Sequence, residues 1–411
     1  MNILFIVPYV PNLIRVRSFN LIRQLAKRGN NLTVCTLWTD EHERRDADDL
    51  AEYPGVEVVA LYQSRWQSLW NCIITLPSTT PLQAVYSWQP GLAARISGLL
   101  GSSDRPPFEV VHVEHLRGAR FGVYVKSLFP EIPVVWDSVD CISYLFEQAA
   151  GLSRSIFGKM VTRLDLNRTR RYEGWLASRF NRAIITSTMD KQALLDLVPN
   201  NVQPAPIDIL PNGVDWEYFG ESEAMPRDPA TVVFSGKMSY HANITMVTYL
   251  VNEIMPLVWG ERPNAKLIIV GKDPPKNILA LAQNPAITVT GTVPDLRPYL
   301  SKATLAVVPL VYGAGSQLKL LEAMACGTPV VASPRAIMAL RAEPGKDLLV
   351  AHTPAEFAAK ILELFDHPEM ANQIGLSGRQ YIRDHHRWAA ITERLERVYQ
   401  AAAQTPGNEK N

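Results

Sequence analysis

A chain of 411 residues is long enough for two or three domains, and 47% hydrophobic with 20% charged residues is the composition of a folded globular protein. A formal net charge of +1 excludes a global basic field of the kind that nucleic-acid binding uses. The four cysteines, Cys35, Cys72, Cys141 and Cys326, are scattered without a C-x-x-C pair, which speaks for buried thiols in a reducing cytosol and against a zinc site.

Taken in chain order, the N-terminal MNILFIVPYV is apolar at once and reads as a first strand, Asn2 to Pro8, and not as a signal peptide. Ser18 to Arg28 reads as a helix with Leu21, Ile22 and Leu25 on one face and Gly29 as its C-terminal stop. Strands follow at Leu32 to Trp38, Val56 to Leu61, Val110 to Val113, Pro133 to Trp136 and Ala183 to Thr186. This alternation of continuous apolar strands with helices predicts an α/β protein with a parallel, doubly wound sheet. Val198 to Pro206, rich in Pro and Asn, reads as a linker, and the rhythm then restarts. The second series has strands at Val232 to Ser235, Lys266 to Val270, Ile287 to Val289, Leu305 to Val308 and Val330 to Ala332. Its helices are Thr245 to Trp259, Leu318 to Met324 and Pro354 to Leu364. Two such units predict a cleft, and ligands of open α/β sheets bind at the carboxyl ends of the strands. The polar tail from Ala403 reads as frayed.

Two stretches interrupt the rhythm. Gln63 to Leu100, with Trp66, Trp70, Tyr86 and Trp88 among Pro and Thr, reads as an insertion or long loop. Arg154 to Arg182 carries eight basic residues against Asp165 and Glu173. Together they read either as a peripheral contact with an anionic membrane or as a tryptophan core beside a solvated helix face. No apolar run reaches the roughly 18 residues of a membrane span.

The stretch richest in chemistry is PLVYGAGSQLKLLEAMACGTPVVASP, Pro309 to Pro334. An apolar strand runs into Gly313, Ala314, Gly315 and Ser316, and a helix begins. Small residues let a ligand approach the backbone, and amides at a helix start bind an anion such as a diphosphate. Lys319 falls in the first turn, within reach of the same phosphates. Glu322, three residues on and nearly on the same face, has the chemistry to accept hydrogen bonds from both hydroxyls of a ribose. Singly, each residue also fits a plain turn or a surface ion pair.

LEAMACGTPVVAS resembles the donor-site signature of glycosyltransferase family 4, the group 1 transferases. PYVPN with Arg17 and LAKRG, ILPNGVD at Ile209 to Asp215, FSGKMSYHANI at Phe234 to Ile244, GTVPDLRPYLSKA at Gly291 to Ala303 and the final HHRWAAITERLERVY resemble further segments of that family. The resemblance spans nearly the whole chain. It implies a GT-B fold of two facing Rossmann-like domains with an interdomain cleft. Those domains would be residues 1–203, with the terminal helix 386–402 packing back on them, and residues 204–385.

The resemblance also implies roles. Glu322 would hold the donor ribose. Lys319 and the amides of Gly315, Ser316 and Gln317, beside Gly313, would hold the diphosphate. Lys237 would belong to the basic pair that neutralises the leaving diphosphate, and Val293 would meet the base through its backbone. His115 matches a functional histidine of the first domain, against the alternative of a structural histidine. Asp137 and Asp140, with Arg17, would face the acceptor, against the alternative of Asp137 as a helix N-cap.

The implied reaction is sugar transfer with retention, from a nucleoside diphosphate sugar to an acceptor that is lipid-linked or a saccharide, without cofactor or metal. The implied setting is the cytoplasm, with any membrane contact at its inner face. The chain departs from the family at three places. Ala314 stands eight positions before Glu322, where the family has a first glutamate. KMSYHAN offers one clear cation, and Leu13-Ile14 replaces a glycine pair. A lost charged hydrogen bond costs roughly 1.5–3 kcal/mol. The first departure therefore leaves a second reading open, a nucleotide-sugar binder without transfer. A nucleotide-sugar epimerase needs extra carboxylates near the sugar and fits less well.

Overall fold

The computed structural model describes residues 1–404 other than 13–14, 151–155, 222–225 and 313–316, with backbone alone at 148–150 and 156–164. The chain divides into two compact units, residues 1–211 with 391–411, and residues 212–390.

The first unit is built on seven strands: β1 (Asn2–Val7), β2 (Asn31–Trp38), β3 (Val56–Tyr62), β4 (Val110–Glu114), β5 (Val134–Val139), β6 (Arg182–Ile185) and β7 (Ile207–Ile209). They pair in parallel in the order β3-β2-β1-β4-β5-β6-β7. That is the order of a Rossmann-like doubly wound sheet. Parallel strands are covered on both faces, so they are apolar throughout: Ile3, Leu4, Phe5, Ile6 and Val7 have no exposed surface. His112 in the middle of β4 is one of the buried polar exceptions. It stacks on Phe5 with ring centroids 4.1 Å apart, and its Nδ1 lies 2.9 Å from the Tyr399 hydroxyl. Tyr399 belongs to the helix Trp388–Gln404, whose Glu396 also pairs with Arg28 at 2.7 Å.

β7 was not legible, because Ile207 to Ile209 follows directly on the Pro- and Asn-rich stretch. Its pairing with β6 carries the first unit to residue 211, past the boundary expected at 203. Gln63 to Leu100 is not a loop. It folds as three helices, Arg65–Thr75, Leu82–Tyr86 and Pro90–Leu100. The Ser64 hydroxyl accepts from the Gln67 amide at 3.0 Å, and Gln89 caps the Leu92 amide at 2.8 Å with Pro90 in the first turn. Of the basic stretch, Arg154 and the side chains of Lys159 and Arg163 lie outside the described residues.

The second unit carries β8 (Thr231–Ser235), β9 (Lys266–Val270), β10 (Ile287–Gly291), β11 (Leu305–Val308), β12 (Val330–Ala332) and β13 (Leu349–Val350). They pair in the order β10-β9-β8-β11-β12-β13, again all parallel. The expected helix at Thr245 begins earlier, at His241, and contains a π-helical turn, Leu250–Ile254, ahead of Pro256. Proline gives no amide hydrogen to the regular ladder. Gly213, in the segment NGVD, is held to its size: a Cβ there would meet the Trp388 ring at 2.6 Å.

Candidate functional site

In both sheets the strand order reverses beside the first strand, between β1 and β4 and between β8 and β11. Such switch points are where open α/β sheets bind ligands, past the carboxyl ends of the strands.

In the second unit, β8 leads into Gly236, β9 into Gly271, and β11 into Pro309, from which the chain continues toward Gly313, Gly315 and Ser316. Those three predicted residues, with Ala314, lie outside the described residues. Gly236 and Gly271 both have positive φ, and a Cβ on Gly271 would sit 1.8 Å from the Gly236 carbonyl oxygen. The two strand ends touch backbone to backbone, and neither tip carries a side chain of its own. The helix Leu318–Ala325 starts at Gln317, whose side chain makes no cap bond. Its Lys319 runs back across Gly236, with Nζ donating to Asn243 Oδ1 at 2.8 Å and lying 5.7 Å from the centre of the Phe234 ring. Asn243 in turn donates to the Lys237 carbonyl at 2.8 Å and is buried. Burial lowers the Lys319 ammonium to about 8, with Glu322 opposing. Burial raises the half-buried Glu322 carboxyl to about 7, with Lys319 opposing. Among the described residues no group hydrogen-bonds that carboxylate. An acceptor kept partly out of water and left unmatched is disposed to take hydroxyl donors from a ligand.

Lys237 itself is exposed and stands 3.7 Å from Asp273, a residue at positive φ just past β9. Val293 lies two positions past β10, half-buried against the core of the unit. Sequence reasoning missed Asn243, which couples Lys319 to the β8 tip. It also missed His241, whose Nδ1 lies 2.5 Å from the Tyr312 hydroxyl with the rings parallel. Both sit in KMSYHAN, where no spacing signals their partners about seventy residues away.

In the first unit, His115 is the first residue of the helix His115–Leu128 and adopts φ 65°, a conformation non-glycine residues rarely hold. Its Nδ1 accepts from the Arg117 amide at 3.3 Å, and burial lowers its pKa to about 4. The imidazole is therefore neutral at physiological pH, and a strained, neutral histidine at a switch point carries a functional signature. Beside it, Tyr9 donates to the buried Glu114 at 2.6 Å, and burial with nearby Asp137 raises Glu114 to about 7.

Asp137 and Arg17 were expected on the acceptor side. Both are buried: Arg17 donates to Asp137 Oδ2 from Nε at 2.9 Å, its Nη2 lies 2.8 Å from the same oxygen, and Nη2 also donates to the Leu210 carbonyl at 3.1 Å. The second Asp137 oxygen accepts from the Val139 amide at 3.1 Å. Asp137 thus caps no helix. It anchors β5 through Arg17 to the first helix, which runs Val16–Lys27 and so starts two residues before the expected Ser18, because a buried carboxylate needs a charge partner. Asp140 is half-exposed, accepts from the Thr186 hydroxyl at 3.2 Å, and is raised by burial and Asp190 to about 6. Of the three, it alone presents a carboxylate at the surface of the strand ends.

Two family models match this chain. One, Glycosyltransferase Family 4, matches residues 14–218, and the other, Glycosyl transferases group 1, matches residues 229–367. The chain belongs to the family 4, group 1 glycosyltransferases. An MMP α-(1→4)-mannosyltransferase of Mycolicibacterium hassiacum is 26% identical over 211 residues, 49% of this chain and 50% of that one. A GDP-mannose-dependent monoacylated α-(1-6)-phosphatidylinositol monomannoside mannosyltransferase of Corynebacterium glutamicum is 28% identical over 213 residues, 47% of this chain and 55% of that one. The chain spans about half the length of the curated relatives it matches. Among solved structures, a sucrose-phosphate synthase of Thermosynechococcus elongatus is similar with a TM-score of 0.69 at 17% identity, covering 97% of this chain and 98% of the other. The GT-B fold is thus shared at a level where sequence has diverged widely.

Proposed function

We propose that the chain transfers a sugar from a nucleoside diphosphate sugar to an acceptor hydroxyl, with retention of the anomeric configuration. The observation that carries the reading is the half-buried pair Lys319 and Glu322 beside the bare tips Gly236 and Gly271. Family membership supports it from a separate direction.

The steps follow from the charges. The donor diphosphate lies along the start of the helix Leu318–Ala325, with Lys319 and the exposed Lys237 as its cations. Glu322 takes the ribose hydroxyls, and Val293 borders the base. As the bond from the anomeric carbon to the diphosphate oxygen lengthens, negative charge grows on that oxygen. Lys319, already positioned by Asn243, stabilises it without rearranging, and no metal is required. The acceptor oxygen attacks from the face the diphosphate leaves, and its proton passes to a leaving-phosphate oxygen. His115, neutral and backbone-held, is the first unit's catalytic candidate, and Asp140 is its candidate carboxylate for the acceptor. The acceptor is lipid-linked or a saccharide, as for the phosphatidylinositol mannoside named for the Corynebacterium relative, in cytoplasmic polysaccharide or glycolipid assembly.

Ala314 supports a second reading, a donor-binding protein without transfer, since the first glutamate of the family pattern is missing. Nucleotide release from a panel of UDP, GDP and ADP sugars, with saccharide and lipid-extract acceptors, separates the two. Turnover that falls sharply in Lys319→Ala and Glu322→Ala supports transfer. Binding without turnover across the panel selects the second reading, and unchanged binding in both variants removes the site.

A further inference from the structure

The helix Arg65–Thr75 is amphipathic in the reverse sense. Its inward face is polar: Ser68 and Asn71 are buried, the Ser68 hydroxyl accepts from Gln63 Nε2 at 3.1 Å, and Asn71 donates to the Val85 and Trp88 carbonyls at 3.1 and 2.8 Å. Its outward face is apolar: Trp66, Leu69, Trp70, Ile73 and Ile74 fall at helical spacing and are exposed, Trp66 by 80% and Trp70 by 62%. Water is a poor neighbour for such a stripe, since single exposed apolar residues are ordinary and a contiguous aromatic-aliphatic face is not.

The charges around it identify the neighbour it suits. No Asp or Glu occurs from Gln63 to Ser103. Cations border the face: exposed Arg65 opens the helix, Arg168 reaches the Leu76 carbonyl just past its end, and the Arg117 guanidinium lies 5.2 Å from the ring centre of exposed Tyr86. The acidic residue that approaches, Asp165, is spent on the Leu82 amide at 2.9 Å. Tryptophan has an apolar body with a polar N–H and favours the headgroup level of a bilayer, and a cationic border favours an anionic one.

We infer that the helix Arg65–Thr75 lies in the surface of an anionic lipid bilayer, with Trp66 and Trp70 among the headgroups and Ile73 and Ile74 below them. Docking there would bring the first unit to the surface where a lipid-linked acceptor is held, although the inference stands independently of any transfer step.

The test uses the full chain, without donor or acceptor, and vesicles of phosphatidylcholine with or without phosphatidylglycerol. Wild type is expected to co-sediment with the anionic vesicles, weakly with the neutral ones, and less as salt rises. Trp66→Ser with Trp70→Ser should weaken binding by about tenfold or more, while Leu257→Ser, an exposed apolar site in the second unit, should not. Circular dichroism checks that the double variant folds; should it unfold, Arg65→Glu carries the same comparison. Equal binding of wild type and variant, or no binding by wild type, overturns the inference. So does a wild-type dimer in sedimentation analysis that the double variant dissolves while vesicle binding is unchanged, because a second copy would then cover the face.

Discussion

The carboxyl ends of the two sheets use buried charge in opposite ways. In the first unit, Asp137 is closed on Arg17 and the Val139 amide, and Glu114 holds Tyr9. The Asp137 carboxylate is matched internally and holds the backbone in place, while Glu114 uses one oxygen on Tyr9 and keeps the other buried without a hydrogen bond among the described residues. In the second unit, Lys319 has one side-chain partner, Asn243, and Glu322 has none among the described residues. Two Rossmann-like sheets of related strand order thus carry ionisable groups past their strand ends that are closed on a charge partner in one case and left with unused hydrogen-bonding capacity in the other. What separates the cases is whether the hydrogen-bonding capacity is already used.

The largest expected effect tests the matched end. Asp137→Ala leaves the Arg17 guanidinium buried without its carboxylate, a loss of about 3–5 kcal/mol. Chemical denaturation followed by fluorescence should show it; a loss under about 1 kcal/mol would mean that the pair is not what holds that edge. The unmatched end should respond in affinity instead. Lys319→Met and Glu322→Gln should each weaken nucleotide-sugar binding by roughly ten- to a hundredfold, read by calorimetry, with little loss of stability.

A pH series sharpens the same contrast. Glu322 titrates near 7 and Lys319 near 8 in the free protein. Below about 7 Glu322 takes up a proton and accepts fewer hydroxyls; above about 8 Lys319 loses one and attracts the diphosphate less. Binding should therefore peak between those values, and Lys319→Arg should remove the alkaline fall. For stability the signs are separate. The raised Glu322 favours folding at low pH, and that contribution is lost as pH rises through about 7. The lowered Lys319 favours folding at high pH, and that contribution is lost as pH falls through about 8. An affinity optimum that survives in Glu322→Gln and Lys319→Arg alike would assign it to other groups.

The smallest effect concerns His115. Glycine tolerates φ 65° without strain, so His115→Gly should leave stability unchanged or raise it by up to about 1 kcal/mol while turnover falls. Unchanged turnover would make His115 a structural residue.

The sequence alone determined the architecture and singled out the segment proposed to hold the donor. Apolar strands alternating with helices have few other ways to pack, and Lys319, Glu322 and Gly327 lie close enough in the chain for local spacing to reveal them. It left Gln63 to Leu100 open between an insertion and a long loop and did not find its helices, because a helix with a polar inner face and an apolar outer one carries a period whose direction only packing decides. Tertiary structure also decided which carboxylates carry a charge partner. Asp137 and Asp140 stand three residues apart and read alike, yet one is paired with Arg17 from 120 positions away and the other is half-exposed and accepts from the Thr186 hydroxyl. Burial and ion pairing depend on what the rest of the chain brings alongside, and no local pattern records that.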